Sequence, residues 1–201
     1  VLPLKVIDKE GSGLYSWVAE AIIWAADNKA DVINLSLGGD EPSQTLQSAL
    51  RYAYEKNVTI IAAAGNDGGP VLYPAAYDNY CLAVATTDYN DTRPDWSNFG
   101  PEIDVAAPGV KVVSLVPTWY FGPGSLPYGY GSGTSMAAPH VAGLAALLKS
   151  LKPWLKAREI MDIIRYSSED VNALQNRGRD NFIGYGRINM EKALVPIKIK
   201  K

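Results

Sequence analysis

The chain has one histidine and one cysteine in 201 residues. A lone cysteine rules out a disulfide within the chain. Cys81 lies in the apolar run CLAVAT and reads as a small buried core residue, which says little about compartment. Long apolar runs are missing, since none approaches the roughly 20 residues that span a bilayer. An excess of either charge is missing too: 19 Lys and Arg stand against 21 Asp and Glu, a net charge of −2. No basic face for nucleic acid stands out, and Lys198, Lys200 and Lys201 at the end read as a solvated tail. A signal peptide and an initiating methionine are absent. The chain opens at Val1 inside an apolar run, the expectation for a processed or truncated product.

What is present suits one sizeable core. Hydrophobic residues make up 47% and charged residues 20%, close to globular averages. Short β-rich runs alternate with helical patterns. LPLKVI (2–7) reads as a strand, 15–28 as a helix and DVINLSL (31–37) as a second strand. An amphipathic helix follows over 43–57, then VTIIAAA (58–64), apolar on both faces as a strand inside a parallel sheet should be, and YCLAVATT (80–87). From 88 to 132 Pro and Gly punctuate what reads as short strands and long surface loops. Helices resume over 134–151 and 156–166, joined across Pro153, and a last helix goes with GRINMEKAL. With no internal repeat and no linker, residues 1–201 read as a single α/β domain, a mainly parallel sheet between two layers of helices.

Open α/β sheets bind ligands at the C-terminal ends of their strands. SLGG (36–39) and AAGNDGG (63–69) occupy two such ends. Asn66 is either a turn asparagine or a side-chain amide donor facing a ligand. Ser135 sits at the start of a helix, within GYGSGTSMAAPH (129–140). It is either a helix cap or a nucleophile whose oxyanion would meet unsatisfied backbone N–H groups and the positive end of the helix dipole. His140 follows five residues later. On a helix that is about 140° round the axis and ~7.5 Å along it, beyond the roughly 3.2 Å that proton transfer requires, so His140 reads as structural. GTSMA approaches the G-x-S-x-G elbow of α/β-hydrolases, but that arrangement needs an acid and then a histidine well downstream of the serine.

GTSMAAPHVAG (133–143) resembles the nucleophile motif of the subtilisin-like serine proteases, the subtilases. KVIDKEGSGLYSWVAEAIIWA (5–25), DVINLSLGG (31–39), IIAAAGNDG (60–68), YPAAYDN (73–79) and VAAPGV (105–110) resemble further segments of that family in its order. The resemblance spans nearly the whole chain and implies a subtilisin-like three-layer fold and peptide-bond hydrolysis through an acyl-enzyme. It implies that Ser135 is the nucleophile and that Asn66 serves the oxyanion hole with the Ser135 backbone N–H. It assigns Gly11, Ser12 and Gly13 to a strand that pairs with extended substrate, and Ser36, Leu37 and Gly38 to the opposing strand. Ala63, Ala64 and Gly65 would wall the main specificity pocket. Tyr15, Val18 and Leu37 would line an apolar pocket further upstream. Leu72, where the family often has a small or variable residue, implies a shallow specificity pocket. Asp88 resembles a carboxylate of a weak cation site, but Ca²⁺ takes 6–8 oxygens and a plain surface aspartate is the simpler reading.

A subtilase uses Asp, His and Ser in that order along the chain. The resemblance places the first two before the segment LPLKVI, so roughly 90 or more residues, with the tight calcium site, are expected on a missing or separate N-terminal segment. Asp8, Asp31 and Asp67 have no histidine to orient. Two readings follow. One is a secreted endopeptidase, made as a zymogen with a propeptide, complete only with its N-terminal segment and acting on polypeptides. The other is a catalytically incomplete body that binds peptide without turnover.

Overall fold

The computed structural model describes residues 1–116 and 126–195; the loop expected over 117–125 and the lysine tail lie outside the described residues. Four parallel strands form the central sheet in the order β1 (Val32–Leu35), β2 (Thr59–Ala63), β3 (Cys81–Thr87), β4 (Ile103–Pro108). Alternation along each strand divides the core. Ile60 and Ala62 of β2, with Ala83 and Ala85 of β3, face α1 (Tyr15–Asp27) and α2 (Gln44–Glu55). Ile61, Ala63, Leu82 and Val84 face α3 (Thr134–Leu151) and α4 (Ala157–Ser167). Both faces of β2 and β3 are buried throughout, which is why their sequences are apolar without alternation. The fold is thus a mainly parallel sheet between two helical layers. An antiparallel ribbon of β5 (Val112–Leu115) and β6 (Tyr128–Gly131) leads into α3, and α5 (Met190–Leu194) follows α4.

One expectation changes. LPLKVI is not a strand: residues 2–7 make no ladder, and Val1 and Leu2 are exposed. A strand needs a partner, and among the described residues none stands beside this segment. β1, at the sheet's edge, pairs only with β2. Among residues 1–4, the outer side of β1, α1 and α3 lies an open apolar cavity of about 1110 Å³. Of the short strands expected within 88–132, β4 ends the sheet order, and its Ile103, Val105, Ala106 and Ala107 are fully buried.

α3 begins without a side-chain cap, at Gly133 with φ +152°, a backbone region open mainly to glycine. Its first N–H groups therefore remain available to the neighbouring loops. Pro139 sits in the second turn and faces the apolar cavity with Ala142, Gly143 and Ala146.

Candidate active site

The loop after β2 and the start of α3 meet over a small cavity of about 190 Å³. Leu37, Gly38, Ala63, Gly65, Asn66, Leu72 and Ser135 line it, together with Asp67 and Thr134. Asn66 Oδ1 accepts from the Thr134 backbone N–H at 2.8 Å and from Thr134 Oγ1 at 3.1 Å. Thr134 Oγ1 in turn accepts from Gly65 N at 3.1 Å. The Asn66 oxygen is so held as an acceptor, and among the described residues its Nδ2 amide remains free to donate to a further partner. Thr134 is the residue that reading the sequence missed. Its neighbour Ser135 drew the attention, and a contact across 68 positions has no local signature.

Ser135 does not cap α3. It is the second helical residue, and its Oγ donates to the Ser36 carbonyl at 3.2 Å. Its backbone N–H has no acceptor among the described residues. Asn66 Nδ2 and Ser135 N–H are thus two uncommitted donors at the positive end of an 18-residue helix, an arrangement that stabilises negative charge developing on an oxygen. His140 Nδ1 makes a 2.9 Å hydrogen bond to the Met136 carbonyl one turn back, so the chain's imidazole is held along its own helix and not against Ser135.

The remaining candidates are placed around this centre. Ser36 Oγ donates to the Ser135 carbonyl at 2.9 Å. Leu72 packs against Gly38 and Gly65, in the space their side chains would fill. Ala64 is not among the residues that line the small cavity and is fully buried in the core under α1 and α2. Val18, at the buried face of α1, lines the large apolar cavity with Leu37, so Leu37 borders both cavities. The Tyr15 hydroxyl occupies the place of a side chain at Gly39. Burial pushes its pKa up.

Gly11, Ser12 and Gly13 lie on an exposed turn outside the small cavity. That turn is built by Asp8, whose Oδ1 accepts from Glu10 N and Ser12 N, both at 2.9 Å. Asp88 builds a similar turn with Asn90 N at 2.8 Å and Thr92 N at 2.9 Å. Among the described residues no three His, Cys, Asp or Glu side chains stand together to hold a metal. Asp88 alone is a poor match for a cation that takes 6–8 oxygens.

The model of the Subtilase family matches residues 1–186. The thermophilic serine proteinase of Bacillus sp. (strain AK1) is 42% identical over 195 residues, covering 96% of this chain and 45% of that protein. Thermitase of Thermoactinomyces vulgaris is 41% identical, covering 96% of this chain and 64% of that protein. A protease from Pseudoalteromonas arctica superposes with a TM-score of 0.80 at 36% identity, covering 90% of this chain and 58% of that structure. The chain therefore spans about half to two thirds of the length of these relatives.

Proposed function

The chain belongs to the subtilase family of serine proteases, and from that premise we propose that it carries the nucleophile and oxyanion site of a serine endopeptidase. Ser135 Oγ attacks the scissile carbonyl carbon. The carbonyl oxygen becomes an oxyanion that accepts from Asn66 Nδ2 and Ser135 N–H. Collapse of this intermediate expels the amine and leaves an ester on Ser135, which water then hydrolyses. The observation that carries the proposal is the Asn66–Thr134 pair, which holds Asn66 by Oδ1 and leaves Nδ2 unengaged in the cavity it shares with Ser135.

Ser135 must give up a proton, and His140 is engaged elsewhere. In this reading the base is an imidazole, oriented by an aspartate, on the protein's own N-terminal segment seated in the apolar cavity. Three features support that seat: β1 has an unpaired outer edge, the walls are largely apolar side chains of α1 and α3, and Leu37 joins the cavity to the site. Polypeptide substrate would lie against residues 11–13 and 36–38, with a small side chain in the shallow pocket over Leu72. Synthesis as a secreted zymogen, with a propeptide covering the cleft, completes the reading. No described helix is long and apolar enough to cross a membrane.

A second reading follows from Ser135 Oγ bonding to a backbone carbonyl and not to a base: a body that binds peptide without turnover. One experiment separates them. The protein is produced with all sequence encoded ahead of Val1, masses are measured under native and denaturing conditions, and a fluorophosphonate is added. Labelling of Ser135, lost in Ser135→Ala, with peptide hydrolysis supports the peptidase. An unlabelled Ser135 in the complete protein overturns it.

A further inference from the structure

The side chain of Asn98, on the loop between β3 and β4, is 1% exposed and fully engaged. Its Oδ1 accepts from Asp67 N at 2.8 Å and Gly69 N at 3.2 Å, and its Nδ2 donates to the Pro70 carbonyl at 2.7 Å. Its backbone N–H donates to the Gly65 carbonyl at 3.1 Å. These four bonds fall at residues 65, 67, 69 and 70, so they bracket Asn66 on both sides. Gly65, at φ +113°, has no room for a side chain because the Asn98 amide and Leu72 fill that space.

Asn98 is itself anchored to the sheet. Its neighbour Ser97 accepts on Oγ from Thr86 N of β3 at 3.1 Å, and the Ser97 carbonyl accepts from the Arg93 guanidinium. That guanidinium lies 5.3 Å from the rings of both Phe99 and Phe182. A rigid connection thus runs from β3 through Ser97 and Asn98 to the loop that carries Asn66. At the far end, Thr134 holds Asn66 Oδ1.

We propose that Asn98 is a positioning residue for the oxyanion site: it pins the backbone on both sides of Asn66, so that Nδ2 stays aimed beside Ser135. Only an amide side chain meets the need, for it must accept from two N–H groups and donate to one carbonyl at once. A carboxylate keeps the acceptor but sets a negative charge against the Pro70 carbonyl. Alanine leaves the Asp67 and Gly69 N–H groups and the Pro70 carbonyl without their side-chain partner.

The inference rests on the peptidase reading, and the test tells the two apart. In the complete protein, kcat and KM are measured per titrated Ser135 for wild type, Asn98→Ala and Asn98→Asp. A loosened donor weakens transition-state binding more than substrate binding. Asn98→Ala is therefore expected to lower kcat by about tenfold or more, with KM within about threefold. The ratio of Asn98→Asp to wild type should rise on acidification, as the new carboxyl gains the proton that donates to Pro70. A general loss of stability would reduce the number of titrated sites and leave kcat per site unchanged. A kcat per site within about twofold of wild type in both variants overturns the proposal. If wild type neither labels nor hydrolyses, the peptidase reading fails, and amide exchange at Asp67 and Gly69 decides the clamp. Exchange faster by about tenfold or more in Asn98→Ala supports it, and unchanged exchange overturns it.

Discussion

Ser135 and Ser36 hydrogen-bond each other in both directions: Ser135 Oγ donates to the Ser36 carbonyl at 3.2 Å, and Ser36 Oγ donates to the Ser135 carbonyl at 2.9 Å. The pair fastens the segment after β1 to the first turn of α3. Ser36 Oγ also accepts from Asn34 Nδ2 at 3.0 Å. Ser36→Ala removes the second link and leaves the first, which uses the backbone. It is expected to cost about 1 kcal/mol, a Tm drop of about 2–4 °C, with labelling of Ser135 in the complete protein slowed by less than about threefold. Calorimetry and labelling kinetics check both parts.

In the proposed mechanism, Asn66→Ala removes a donor that acts only once the oxyanion forms. kcat should fall by about 10²–10³ with little change in KM, the magnitude known for an oxyanion-hole asparagine in a subtilisin. Steady-state kinetics on one peptide substrate measures it. A fall seen mainly as raised KM would assign Asn66 to substrate binding.

Leu72 fills space against Gly38 and Gly65 beside a cavity of about 190 Å³. The complete protein should therefore prefer small side chains at that position, and Leu72→Ala should shift relative kcat/KM toward large ones by about tenfold or more. Peptide-library cleavage by both forms reads the shift. A strong aromatic preference in the wild type would contradict the assignment.

Far from this centre, Asp104 on β4 pairs with Arg165 on α4 at 2.7 Å and accepts from Ala83 N at 2.8 Å. Burial pushes the Asp104 carboxyl up from 3.8 to about 6, although Arg165 pulls it down. A carboxyl raised on folding favours the folded state at low pH, and that contribution is lost as pH rises from about 4 through about 6. Arg165→Leu leaves the carboxylate without its cation. The variant should lose about 3–5 kcal/mol near pH 8, and visibly less near pH 5, where Asp104 is protonated. Urea unfolding at the two pH values tests the sign; an equal loss at both would place the ionisation elsewhere.

The sequence by itself determined the elements whose reasons are local. The unbroken apolar runs of β2 and β3, the periodic Leu46, Ala49, Leu50 and Ala53 of α2, and the helix that opens with Thr134 and Ser135 were all legible there. Helical geometry alone was enough to part His140 from Ser135. Tertiary structure decided what depends on partners. An apolar run such as LPLKVI becomes a strand only beside another backbone, and the outer edge of β1 faces a cavity at that place. β4 was legible as one of the short strands between Pro and Gly, but its depth was not, because its burial comes from β3, α3 and α4. Thr134 and Asn98 reach Asn66 and its loop across 68 and about 30 positions, and hydrogen bonds of that span leave no trace in spacing or composition.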